Sequence, residues 1–152
     1  MTRALLHAEL SMLVSALWFE IDHREGAAAA DFFTADAELT FSRRTFRGTA
    51  EIDGVYRDRA ARGPRVSRHL ASNLHVLRRE PGAVDAVSAL VLFARDGEPP
   101  VPAIVPVLVA DVFDRFVRPG APDRAPHGWL IASRRIESRF LLPGDVLAVP
   151  TD

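Results

Sequence analysis

Apolar spacing along the chain changes period once, near Pro64, and that change restricts the fold more than any motif does. Before it, Leu6, Leu10, Leu13, Leu17 and Ile21, widened by Val14 and Trp18, put one apolar stripe on a long helix over residues 3–24. Gly26 interrupts this helix, and residues 27–33 predict a short alanine-rich second one. A short strand is expected over 37–42. Ile52, Val55, Tyr56 and Arg59 then make one face of a third helix, with Thr49 as the expected N-cap and Gly63-Pro64 as the stop. From Val66 onward the period is two. Residues 66–79, 83–95, 107–118 and 129–142 read as four strands, divided by Pro81-Gly82, residues 96–106 and residues 119–128. Helices first and sheet afterwards predict an α+β fold with helices packed on one face of an antiparallel sheet, not alternating βαβ units.

The stretches 88–94 and 105–109 are apolar at both parities, so both faces of their strands are expected to be covered. The helices can cover one face, and a second copy of the chain in a homodimer is expected on the other. Pro102 and Pro106 cannot donate ladder hydrogen bonds, which places 101–106 at an edge or in a loop.

Composition narrows function by exclusion. The 152 residues, 48% apolar and 26% charged, suit a single domain over residues 1–152. Nineteen basic residues against twenty acidic leave a net charge of -1, so no nucleic acid or anionic membrane partner is expected. The chain has no cysteine and no lysine, which excludes thiol nucleophiles, thiolate metal sites, Schiff-base chemistry and a P-loop lysine. The apolar stretch 10–19 is flanked by Glu9 and Glu20, lacks a basic leader beyond Arg3, and falls short of the ~18 residues of a membrane span. The expectation is a cytoplasmic protein. Dinucleotide-binding, phosphate-loop, nucleophile-elbow and zinc-protease motifs are all missing. His69 and His75 would lie ~20 Å apart along a strand, too far to share a metal, so neither metal nor cofactor is expected. The arginine pairs 43–44, 78–79 and 134–135 have no interleaved aromatics and read as solvated or strand-edge charge.

Four residues carry the chemistry that remains. Val14, Trp18 and Asp22 are spaced four apart on the first helix, so an acid ends a row that points inward. His69, Ala71, Asn73 and His75 share one strand face if no bulge intervenes, and Asn73 is the only side-chain amide in the chain. Two readings stay open on these residues alone. A neutral imidazole oriented by a buried carboxylate is a competent general base near neutral pH. Equally, Asp22 can be a solvated acid at the helix end, and His69 a surface residue beside Arg68.

The segments Asp22-His-Arg-Glu-Gly, Asp31-Phe-Phe-Thr-Ala-Asp-Ala37, Ser67-Arg-His-Leu-Ala-Ser-Asn73 and Gly128-Trp-Leu-Ile-Ala-Ser-Arg-Arg-Ile136 resemble the SnoaL-like branch of the nuclear-transport-factor-2-like superfamily. The resemblance implies a cone: three helices and a strongly curved antiparallel sheet enclosing one mostly apolar pocket. It also implies kinship with scytalone dehydratase, hexachlorocyclohexane dehydrochlorinase, polyketide cyclases and steroid dehydratases. Several of these use an aspartate at the first helix end to orient a histidine on the strand after the third helix, positions matched by Asp22 and His69. The implied activity is cofactor-free dehydration, isomerisation, cyclisation or elimination on a small apolar or cyclic molecule. Val14, Trp18, Ile52, Val55, Tyr56 and Asn73 are the expected pocket residues. The dehydratase polarises its substrate with tyrosines, whereas this chain has only Tyr56. The same segments resemble the small subunit of ring-hydroxylating dioxygenases, which implies the alternative of a non-catalytic structural or ligand-binding module.

Overall fold

The apolar stripe of the first helix is realised over α1, Arg3–Arg24, where Leu6, Leu10, Leu13, Val14, Leu17 and Trp18 are all buried. Thr2 caps its start by accepting a hydrogen bond from the Leu5 amide at 3.2 Å. By length and mean hydropathy, 1.4 over its best window, α1 is apolar enough to cross a membrane, yet its buried stripe packs against the sheet. The structure, a computed structural model, describes residues 1–120, 125 and 127–144. Part of the expected 119–128 connection lies outside the described residues.

After α1 come a short 3-10 turn at Ala29–Phe32, β1 at Phe33–Phe41, β2 at Arg44–Arg47, α2 at Gly48–Ala60, β3 at Arg65–Glu80, β4 at Ala83–Asp96, β5 at Leu108–Val117 and β6 at Leu130–Leu141. Two α-helices therefore replace the three expected. The 27–33 segment closes only one tight turn because Glu25 and Gly26 both adopt left-handed backbone and Glu20 satisfies the Ala28 amide at 2.9 Å. Gly26 is required there twice over: its φ is +71°, and a Cβ would sit 2.8 Å from the Tyr56 ring. The α2 start also differs, since Arg47 rather than Thr49 occupies the cap position. Glu51, four residues on, accepts from the Arg47 amide at 2.7 Å and so satisfies the cap residue's own N–H.

The six strands run in the order β2-β1-β6-β5-β4-β3. All neighbours are antiparallel except β1 and β6, which pair in parallel from Phe33↔Ile131 to Phe41↔Ile136, so the sheet is mixed. Residues 101–106 form the irregular connection that Pro102 and Pro106 demand. Register shifts in β1, β3 and between β5 and β6 curve the sheet. The concave side holds Leu90, Leu92, Leu108, Val112 and Phe116 against α1 and α2.

The shift in β3 decides which residues meet. Asn73 sits at a bulge with φ +54°. Ser67 and His69 face inward before it, and the parity reverses after it, so Leu74 and Val76 join the core while His75 is exposed. The run of His69, Ala71, Asn73 and His75 on one face is thus broken.

Candidate functional site

A single cavity wall collects side chains from α1, α2, β3 and β6. Trp18, Asp22, Val55, Tyr56, Ser67, His69 and Arg134 line it together with Leu39, Leu90, Leu92, Leu108 and Ile136. About 130 Å³ is open to the centres of water molecules, where roughly 10–15 Å³ holds one, so a ring compound has room.

Asp22, at the end of the inward row on α1, is the most heavily bonded acid in this wall. Its Oδ1 accepts from Ser67 Oγ at 2.7 Å and its Oδ2 from the His69 amide at 2.8 Å. His69 Nδ1 lies 2.6 Å from Oδ1, with the two side chains only 12% and 5% exposed. Burial pushes the Asp22 carboxyl up, but the hydrogen bond and charge of His69, with the backbone amide and Ser67, more than offset this and hold it below the ordinary carboxylate value. An ionised carboxylate only accepts, so Nδ1 carries the hydrogen, and the neutral form of the ring has its lone pair on Nε2. Among the described residues Nε2 has no hydrogen-bond partner. The imidazole lies flat on Trp18, ring centroids 4.3 Å apart and planes 4° from parallel.

Arg134 approaches the same indole, its guanidinium carbon 4.9 Å from the ring centroid. It is bound by a two-pronged bridge, Nε to Asp114 Oδ1 at 2.7 Å and Nη2 to Asp114 Oδ2 at 2.8 Å. Its remaining nitrogen, Nη1, is buried with no partner. Tyr56 lines the cavity nearby, and burial pushes its phenol up to about 12, so it remains a protonated donor at neutral pH.

Asp22, His69, Trp18, Val55 and Tyr56 are brought together as cavity residues. Val14, Ile52 and Asn73 are not. Ile52 is fully buried in the core beneath α2. Val14 and Asn73 instead border a second hollow between α1 and β3, with His7, Ser11, Ser15 and Ser88. The bulge is the reason Asn73 belongs to that hollow and not to the cavity. Arg134 corrects the reading of the 134–135 pair as solvated charge, for it is 2% exposed. Its signal was legible indirectly: Asp114 alternates with Val112 and Phe116, so an acid sits in an inward apolar row and requires a buried cation. Arg59 carried the same mark, a charge on the helix face of Ile52, Val55 and Tyr56, whereas the spacing around Ser67 and Arg65 gave none. Among the described residues no cluster of three His, Asp or Glu side chains could hold a metal ion.

A curved sheet and two helices around an apolar cavity place the chain in the cystatin-like fold class. The SnoaL-like domain profile matches residues 2–135, and the chain belongs to that family. The fold is shared with ActVI-ORFA from Streptomyces coelicolor, at 22% identity and TM-score 0.76 over 92% of this chain and 99% of that one. A Catenulispora acidiphila protein in complex with S-DNPA matches at 24% identity and TM-score 0.74, covering 90% of this chain and 95% of that one. A protein described as a candidate scytalone dehydratase from Novosphingobium aromaticivorans matches at 13% identity and TM-score 0.73, covering 90% and 86%. No curated protein matches the chain.

Proposed function

We propose that this protein is a cofactor-free enzyme that removes a proton from a small cyclic compound, with His69 as the base and Asp22 as the residue that orients it. One observation carries the reading: the 2.6 Å contact that fixes the imidazole tautomer and leaves Nε2 without a partner beside an apolar cavity. Nε2 takes the proton from a C–H or O–H bond, and Asp22 balances the resulting imidazolium charge. The electron pair moves toward an adjacent oxygen, where the Tyr56 hydroxyl is the donor and the buried Arg134 guanidinium supplies positive charge. In an elimination the same imidazolium returns the proton to the departing group, so no cofactor is consumed. Membership of the SnoaL-like family supports this reading, as does the description of a neighbour of the same fold as a candidate scytalone dehydratase.

The test is turnover across a panel of small hydroxylated and halogenated cyclic compounds, with deuterium uptake from heavy water as a second readout. His69→Ala is expected to cut turnover by about 10²–10⁴-fold while ligand binding persists. A non-catalytic ligand-binding or subunit module would show no turnover in the parent chain, and the substitution would alter only the melting temperature.

The protein acts, in this reading, as a homodimer through the outer sheet face. Val87, Ala89, Val91 and Phe93 on β4 stand beside Val109 and Phe113 on β5, half-buried in the single chain. Arg115 paired to Asp85 borders them at one end, and Asp111, paired to Arg139, lies among them opposite Ala89. Light scattering at micromolar concentration is expected to give twice the chain mass, and a monomer would overturn this.

A further inference from the structure

Arg59 at the end of α2 and Arg65 at the start of β3 both line the cavity at its solvent end, and they share a single acceptor atom. Asp96 Oδ1 takes Arg59 Nη2 at 2.7 Å and Arg65 Nε at 3.0 Å, while its own side chain is 64% exposed. The two guanidinium side chains are only 10% and 12% exposed. Arg59 also reaches the Gly63 carbonyl at 3.3 Å, yet its Nε is buried with no partner. Neither Nη atom of Arg65 has a partner among the described residues. Burial and the neighbouring Arg65 and Arg62 charges pull Arg59 below the usual guanidinium value, and burial does the same to Arg65 against the opposing pull of Asp96. Asp96 is the acid that Arg59 and Arg65 share, so two guanidiniums meet one carboxylate oxygen where the cavity opens.

A structural clamp between α2 and β4 needs one arginine and one acid. Two guanidiniums lining an apolar cavity suit a carboxylate: the Nη pair of Arg65 is a planar fork whose donors no described protein group takes, and the acid that competes for it is one that water can solvate instead. We infer that the solvent end of the cavity binds a carboxylate carried by the ligand, held chiefly by Arg65 with Arg59 beside it. This rests on the cavity being the substrate pocket proposed above and names its substrate class. Arg65 and His69 stand on the same face of β3, four residues and ~13 Å apart along the strand. The ligand is therefore an extended or fused cyclic compound whose acid arm lies at one end and whose reacting C–H or O–H lies toward the other.

Two probes of nearly equal size decide the matter by calorimetry: 2-naphthaleneacetate and its neutral amide. The parent chain is expected to prefer the acetate by about ten- to a hundredfold, the worth of one hydrogen-bonded charge. Arg65→Gln is expected to erase that preference while leaving amide affinity unchanged, and Arg65→Lys to retain part of it. Equal affinity for both probes, binding of neither at millimolar concentration, or a preference that survives Arg65→Gln would overturn the proposal. Should Arg65→Gln fail to fold, Asp96→Asn decides: it must tighten acetate binding without changing amide binding, and an unchanged acetate affinity overturns the proposal. His69→Ala is expected to leave the acetate preference intact, so failure of the base and failure of the carboxylate site give different results.

Discussion

On the buried wall of the cavity each carboxylate accepts through both of its oxygens, whereas at the solvent end two cations divide one oxygen. Asp22 accepts three hydrogen bonds, and Arg134 is gripped by both oxygens of Asp114. Trp18 lies against both His69 and Arg134, so the two polar units are held by one aromatic ring. Arg59 and Arg65 share Asp96 as their one acidic partner among the described residues, and that acid is mostly in water. Saturation fixes geometry, which suits groups that must hold a proton acceptor in one orientation. Incomplete pairing leaves donors to give away, which suits groups that must capture and release a ligand.

The comparison is tested most strongly at Asp114. Replacing it by alanine strands a buried cation, and a loss of about 3–5 kcal/mol in chemical denaturation is expected. A loss under ~1 kcal/mol would mean that the wall is no more constrained than the solvent end. Asp22→Asn comes next, with an expected loss of about 1.5–3 kcal/mol at pH 7, since three donors lose a charged acceptor. Its pH dependence has a defined sign. The folded carboxyl lies below its ordinary 3.8, so its contribution is complete above that value and disappears as pH falls through the lowered folded one. Melting curves of parent and variant should therefore converge in acid and separate toward neutrality. Smallest is Asp96→Asn, expected to change stability by less than ~1 kcal/mol because the carboxylate is exposed. A large destabilisation there would make Arg59 and Arg65 a structural clamp and would erase the contrast.

Elements whose apolar spacing is unambiguous were the legible part of the fold: α1 begins and ends where its stripe does, and β3 to β6 fall within two residues of the alternating segments. Strand direction left no trace, because nothing in Phe33–Phe41 marks that it will run parallel to β6. The four residues of β2 were too few to show a period, and the alanine-rich 27–33 segment had helix propensity that the left-handed Glu25-Gly26 corner overrode. Within the site, the inward row ending at Asp22 could be read from spacing, but its meeting with His69 could be anticipated only from resemblance. Asn73 illustrates the limit. Its uniqueness made it conspicuous, yet its role is conformational, since asparagine tolerates the left-handed backbone that a bulge requires.

That bulge makes β3 two modules joined end to end. The segment before Asn73 carries Arg65, Ser67 and His69, and the segment after it seats Leu74 and Val76 in the core. A graft that exchanges only residues 65–72 with those of a relative would transplant the reactive half while leaving the core-seating half untouched. Deleting one residue at the joint would do the opposite: it would restore simple alternation, turning either His69 or the Leu74–Val76 pair toward water. The strand can thus diversify in chemistry by recombination at a fixed seam, while its length is the property it cannot change.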